Sequence, residues 1–163
     1  MATPTYTPLA TVTLSAAASS VTFSNLDQSY GDFVIVMDFN NSSTTGANVG
    51  LEFNSDSTSS YDHVAMYSQG ATPNYAAGTQ SYALVHYGAS TARTAGVANV
   101  INATSTDRKK IVLSNGGSGG GDRRNYFWTS TWKSLAAINT IRVLNSSVDF
   151  TAGSTFSIYG VVK

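Results

Sequence analysis

The chain has no cysteine, which removes disulfides, thiolate metal sites and cysteine nucleophiles from consideration. It has little charge: only 11% of its 163 residues are Asp, Glu, Lys or Arg, less than half the usual share. A surface of hydroxyls and amides suits a protein that lies against other protein surfaces, because burying a hydroxyl costs less than burying a charge. Histidine is limited to His63 and His86, and glutamate to Glu52. No apolar run approaches the ~20 residues of a membrane-spanning helix. Residues Met1 to Pro8 carry neither the basic nor the apolar part of a secretory signal, so synthesis in a cytoplasm is expected.

The charges that exist are unevenly placed. Six carboxylates, from Asp27 to Asp62, precede the first basic residue, Arg93, and all nine Lys and Arg follow. Either the two halves meet edge to edge in an oligomer or their strands interleave and mix the charges. Net charge is zero, and the absence of a basic excess argues against a nucleic-acid surface.

What is present is period-two alternation from end to end, with Gly, Asn, Ser and Asp clusters between the runs. Strands are predicted around Ala10–Leu14, Val21–Phe23, Phe33–Phe39, Val49–Phe53, Tyr61–Tyr67, Tyr82–Tyr87 and Val97–Ile101. Lys110–Leu113, Tyr126–Trp132, Ile141–Val143 and Phe156–Val162 complete the set. The nearly continuous apolar run Phe33–Phe39 predicts a strand covered on both faces. Ser134–Ile138 is the one helical candidate, about a turn long, and Asn115–Asp122 reads as a glycine-rich surface loop. The pattern predicts an all-β, antiparallel, jelly-roll-like sandwich forming a single domain over residues 9–163, with 1–8 as an extended arm stiffened by Pro4 and Pro8. A β-barrel or immunoglobulin-like sandwich is the alternative.

Catalytic patterns are sparse. Glu52, flanked by Leu51 and Phe53, is expected to point to solvent, and Asp56 and Asp62 sit in or beside polar loop sequence. No pair of carboxylates is marked for glycoside cleavage. Neither histidine has a Gly-x-Ser-x-Gly elbow to serve, and Asp62 and His63 are neighbours whose side chains leave opposite faces of a strand. Two histidines without cysteine form no zinc spacing, and no calcium-loop pattern surrounds the aspartates. The glycine run lacks the Lys-Ser/Thr of a phosphate loop. No catalytic residue, metal or cofactor is assigned. The sequons at Asn41, Asn102 and Asn145 arise by chance in so Ser-rich a chain.

One segment stands out. Arg123-Arg124-Asn125-Tyr126-Phe127-Trp128 combines the residue types enriched in interface hot spots. Two readings stay open: Tyr126, Trp128 and Trp132 face the core at period two, or part of this strip meets a partner. Arg123, Arg124, Tyr126 and Trp128 are the candidate partner-binding residues, with Tyr6 of the N-terminal segment. Arg108-Lys109-Lys110 is expected to be a solvated basic corner.

Both ends of the chain resemble the small β-sandwich structural proteins of tailed-bacteriophage virions. The residues that carry the resemblance are Leu9–Leu26, Tyr30–Met37, Ala136–Ile141 and Phe150–Gly160. The resemblance implies a non-enzymatic virion component made in the host cytoplasm: a capsid decoration or cement protein, or a tail-fibre or receptor-binding module. The compact body favours the decoration role. The implied partners are the major capsid protein and copies of the chain itself, expected as a homotrimer on the head surface. A host receptor or glycan is the partner under the fibre alternative.

Overall fold

The computed structural model describes residues 5–42, 46–88, 92–119 and 125–163. Twelve strands run β1 (Tyr6–Thr13), β2 (Ser20–Phe23), β3 (Tyr30–Phe39), β4 (Ala47–Phe53), β5 (Tyr61–Gln69), β6 (Thr72–Gln80), β7 (Ala83–Gly88), β8 (Thr94–Ile101), β9 (Lys110–Ser118), β10 (Asn125–Trp132), β11 (Ile141–Asn145) and β12 (Thr155–Val162). They form an eight-stranded sheet, β1-β12-β3-β8-β9-β10-β5-β6, packed on a four-stranded sheet, β2-β11-β4-β7, with every pair antiparallel. The chain is a single-domain all-β sandwich.

The order becomes simple once two hairpins are set apart. Without β5–β6 and β9–β10, the sheets are β1-β12-β3-β8 and β2-β11-β4-β7, the two four-stranded layers of a jelly roll. The two hairpins add four strands beyond β8. They form a wing that widens one layer only.

Alternation sets the core between the layers. Phe33, Ile35, Met37 and Phe39 of β3 meet Val49, Leu51 and Phe53 of β4, and Ile141, Val143, Phe150, Phe156 and Ile158 close around them. β3 differs from expectation. Of its outward valines Val34 is buried and Val36 is 38% exposed, so the outer face of the run is covered only in part. β6 is also absent from the sequence-based strand set, because Thr-Pro-Asn-Tyr-Ala-Ala-Gly-Thr-Gln has no apolar alternation. β1 starts at Tyr6, so the segment expected as an arm already pairs with β12 there.

Two further expectations are corrected. Ser134–Ile138 is irregular, since its backbone groups are claimed from outside. Ile138 N–H donates to Ala103 O at 2.8 Å, Leu135 O accepts from Lys110 Nζ at 2.8 Å, and Ala137 O accepts from Asn54 Nδ2 at 2.8 Å. The first four residues of the glycine run, Asn115 to Ser118, belong to β9 rather than to a loop.

The glycines there have a packing reason. Opposite them stands His86 of β7, fully buried between the layers. A Cβ on Gly96 would lie 2.9 Å from its imidazole and one on Gly116 only 2.4 Å, with the Ala95 carbonyl at 2.6 Å. Burial lowers the His86 pKa to about 4, against the opposing pull of the Tyr87 and Ala95 backbone groups. The neutral ring is therefore the folded form, and the unfolded chain takes up a proton first. Stability should be full above pH ~6.5 and fall as pH drops toward 4, by on the order of 2 kcal/mol at pH 5 and 3 kcal/mol at pH 4. Urea unfolding across that range, with the His86 titration followed by NMR, measures both. Gly116→Ala should destabilise at pH 7 by about 1–3 kcal/mol through overpacking.

Candidate functional site

The carboxylates come first, since an active site would need them. Asp56 is held by its surroundings: Trp132 Nε1 donates to Oδ2 at 2.7 Å, and the Thr58 N–H donates to Oδ1 at 3.1 Å. Burial raises its pKa, but these bonds together with those from the Thr58 and Ser60 hydroxyls outweigh it and leave the group below the ordinary value. Asp62 is lowered by Lys133 and Thr79, and Asp107 by Ser105. A general acid needs the opposite shift. Glu52 leaves the core side of β4 as expected, yet it is buried rather than solvated and pairs with Arg142 at 3.4 Å. Asp38 pairs with Arg93 at 2.7 Å and Asp62 with Lys133 at 2.8 Å. Early acids thus meet late bases, and the interleaved arrangement holds.

His63 and Asp62 do leave opposite faces, with His63 turned inward beside Trp128 and its pKa lowered by burial. Lys110 corrects the reading of the basic corner. It is fully buried, and its ammonium donates to the carbonyls of Ser105, Arg108 and Leu135 at 2.7, 3.1 and 2.8 Å. Asn41 and Asn145 are buried too, bonded to each other at 2.8 Å. Among the described residues, no three His, Cys, Asp or Glu side chains gather to hold a metal ion.

The aromatic strand resolves into two faces. Tyr126 and Trp128 are 3% and 7% exposed and pack with Ala65 and Leu84, and with Tyr67, Tyr82 and Tyr87 around them. Period two places them on the inner face with Trp132, where they fasten the wing to β7. Burial removes both from the surface, and the exposed aromatic of this strand is the one between them. Phe127 is 59% exposed. Tyr6 is also exposed and on the same outer face, near its far edge. Arg123 and Arg124 lie outside the described residues.

Phe127 does not stand alone. One register row crosses six strands through Val36, Val97, Asn115, Phe127, Met66 and Tyr75. The adjacent row carries Val34, Asn99, Leu113, Thr129, Val64 and Ala77. Among the described residues, six of the ten exposed large hydrophobics are on the wing: Val64, Met66, Tyr75, Ile111, Leu113 and Phe127. At about 4.8 Å per strand, the row spans roughly 24 Å. Among the described residues, the Asp38–Arg93 and Asp62–Lys133 pairs bring charge to this face. At its outer end Met66, Tyr75, Phe127 and Pro73 line an open groove of about 490 Å³, with Asn74 and Asn125 beside them.

The exposed apolar side chains of the wing thus gather on its outer face, with Asn99, Asn115 and Thr129 between them. The sequence reasoning missed it by following one phase of each strand. The signal was apolar residues on both phases at once, as in Ile111-Val112-Leu113 and Tyr126-Phe127-Trp128.

The chain matches no protein-family model and no curated protein.

The two faces separate by mutation. Trp128→Ala should cost about 3–5 kcal/mol of stability. Phe127→Ala should change stability by less than about 0.5 kcal/mol and lower the binding of an apolar fluorescent dye. Asp56→Ala should cost about 1–3 kcal/mol by leaving the Trp132 N–H buried without its acceptor. Chemical denaturation with tryptophan fluorescence reads all three.

Proposed function

We propose that the chain is a non-enzymatic structural protein of a tailed-phage particle, a decoration or cement subunit that seats the outer face of its wing on the major capsid protein. The observation that carries this reading is the outer-face row across six strands from Val36 to Tyr75, apolar at every position except Asn115. The phage setting is supported by the resemblance of both chain ends to virion sandwich proteins.

Exposed Val, Leu, Met and Phe side chains gain about 25 cal/mol for each Å² of apolar area taken from water. The hydroxyls and amides between them, at Thr129, Thr131, Asn99 and Asn115, lose less on desolvation than charges would. A shell offers the same seat many times, so modest affinity at each seat is enough when copies also hold one another. The subunit would add buried area across the joints between capsid subunits and oppose their separation.

A receptor- or glycan-binding role at the tail is the second reading. Tyr75 is 88% exposed and shares the groove with Phe127, Asn74 and Asn125. Exposed rings with amides beside them can stack on a sugar and bond its hydroxyls. The Met66, Pro73, Tyr75 and Phe127 side chains that dominate the lining favour a protein partner.

Cryo-electron microscopy of intact virions, with copy number from mass spectrometry, tests the seat. Many copies over the head with the wing against the shell is the expected result. A few copies at the tail would shift the reading to receptor binding, and absence from the particle would overturn both. Met66→Asp combined with Phe127→Asp should weaken binding to undecorated heads by roughly tenfold or more, with the melting temperature little changed.

A further inference from the structure

A sheet edge presents unpaired N–H and C=O groups, and natural edges are usually blunted. Of the four edges here, three are. β1 carries Pro8 in mid-strand and a register shift between Pro8 and Ala10. β2 is only four residues long. β7 has a bulge opposite Val49 and Gly50, and the carbonyls of Leu84 and Val85 accept hydroxyls from Ser130 and Ser114 at 3.0 and 2.9 Å.

β6 is the exception. It runs nine residues with no charged side chain, and its register with β5 is unbroken from Gln69↔Thr72 to Tyr61↔Gln80. Gly70 (φ 63°) and Ala71 form a two-residue turn, which makes Gln69 and Thr72 a hydrogen-bonded pair. By alternation, the backbone groups of Asn74, Ala76 and Gly78 then point to β5 and those of Pro73, Tyr75, Ala77 and Thr79 point outward. The proline sits where its missing N–H faces the open edge, as proline in an edge strand must.

We propose that β6 is an association strand, paired antiparallel with β6 of a second copy about a two-fold axis, so that the two eight-stranded sheets become continuous. Centred on Ala76, the pairing joins Tyr75 to Ala77 of the mate and Ala77 to Tyr75 of the mate, through backbone groups β5 leaves free. Each Tyr75 ring then lies over a small alanine, and the two rings are diagonal neighbours on one face, within aromatic reach. A neutral strand meets its own copy without like-charge repulsion, which a second copy of β1 or β7 could not match through its bulge. The pairing is held mainly by the backbone hydrogen bonds of the joined edges, and the exposed Tyr75 ring adds apolar contact across the seam. The row over β8, β9 and β10 stays open for the capsid. A two-fold pair replaces the trimer expected from the sequence.

Analytical ultracentrifugation of the full chain at tens of micromolar tests the pairing. The expected mass is twice 17.1 kDa. Ala77→Pro removes an N–H that only the mate uses, and Tyr75→Lys places a charge on the edge. Each should raise the dissociation constant by roughly tenfold or more, with the melting temperature little changed. Because the chain has no cysteine, Ala76→Cys should form a disulfide-linked dimer under mild oxidation. A monomeric or trimeric wild type, or a dimer untouched by both edge variants, would overturn the inference. It takes only its setting from the decoration reading. A monomer that still coats heads sinks the pairing alone, and a dimer absent from virions sinks the decoration role alone.

Discussion

A four-stranded layer cannot cover one of eight strands, and most of this structure follows from how the uncovered part is handled. On the inner side, the wing brings its own cover. Tyr126 and Trp128 of β10 and Tyr67 of β5 pack against Leu84, Tyr82 and Tyr87 at β7, forming a second apolar cluster beside the main core. On the outer side no described residue covers the wing, and Val64, Met66, Tyr75, Leu113 and Phe127 remain exposed. The same strands therefore supply the anchoring of the wing and its free surface, separated only by the phase of their side chains.

Close approach of β7 to the large sheet depends on small residues. His86 enters where Gly96 and Gly116 have no Cβ, and its ring also meets Phe39 and Tyr126 edge-on or tilted, at 5.8 and 5.3 Å. This contact links the jelly-roll core, through Phe39, to the wing, through Tyr126. A larger side chain at Gly116 would push the layers apart along that line and loosen the wing. The long hydroxyl list in the sequence has a similar use here, since Ser114 and Ser130 face inward and donate to the β7 carbonyls of Val85 and Leu84.

Period two made the fold legible for every strand that packs on the core. It failed for β6, which buries little and so needs no pattern: Tyr75 and Ala77 are as exposed as loop residues. The helical reading of Ser134–Ile138 failed because local propensity is weak against three outside claims on its backbone, from Lys110, Asn54 and Ala103. At the candidate site, Arg and aromatic content drew attention to Tyr126 and Trp128, which are buried, while the exposed aromatic of that stretch is Phe127. Tyr126 and Trp128 are larger and more conspicuous than Phe127, and size drives burial as readily as it drives binding. The rows joining Val36 to Tyr75 belong to six strands far apart in sequence, and only strand order brings them into line.

The low charge of the chain bears on why that face stays usable. Exposed apolar surface invites indiscriminate association, and the common defence is lysine or proline on the edge and ions across the face. Here the described ions near the face are paired off, at Asp38–Arg93 and Asp62–Lys133, and the interior of the rows holds Thr and Asn instead. Such a surface gives up little on desolvation, which lowers the cost of a specific seat and of a wrong one alike. Selectivity must then come from shape and backbone direction. A twisted row of strands ending in one unblunted edge provides both, because hydrogen bonds along an edge fix register and orientation where apolar contact alone does not.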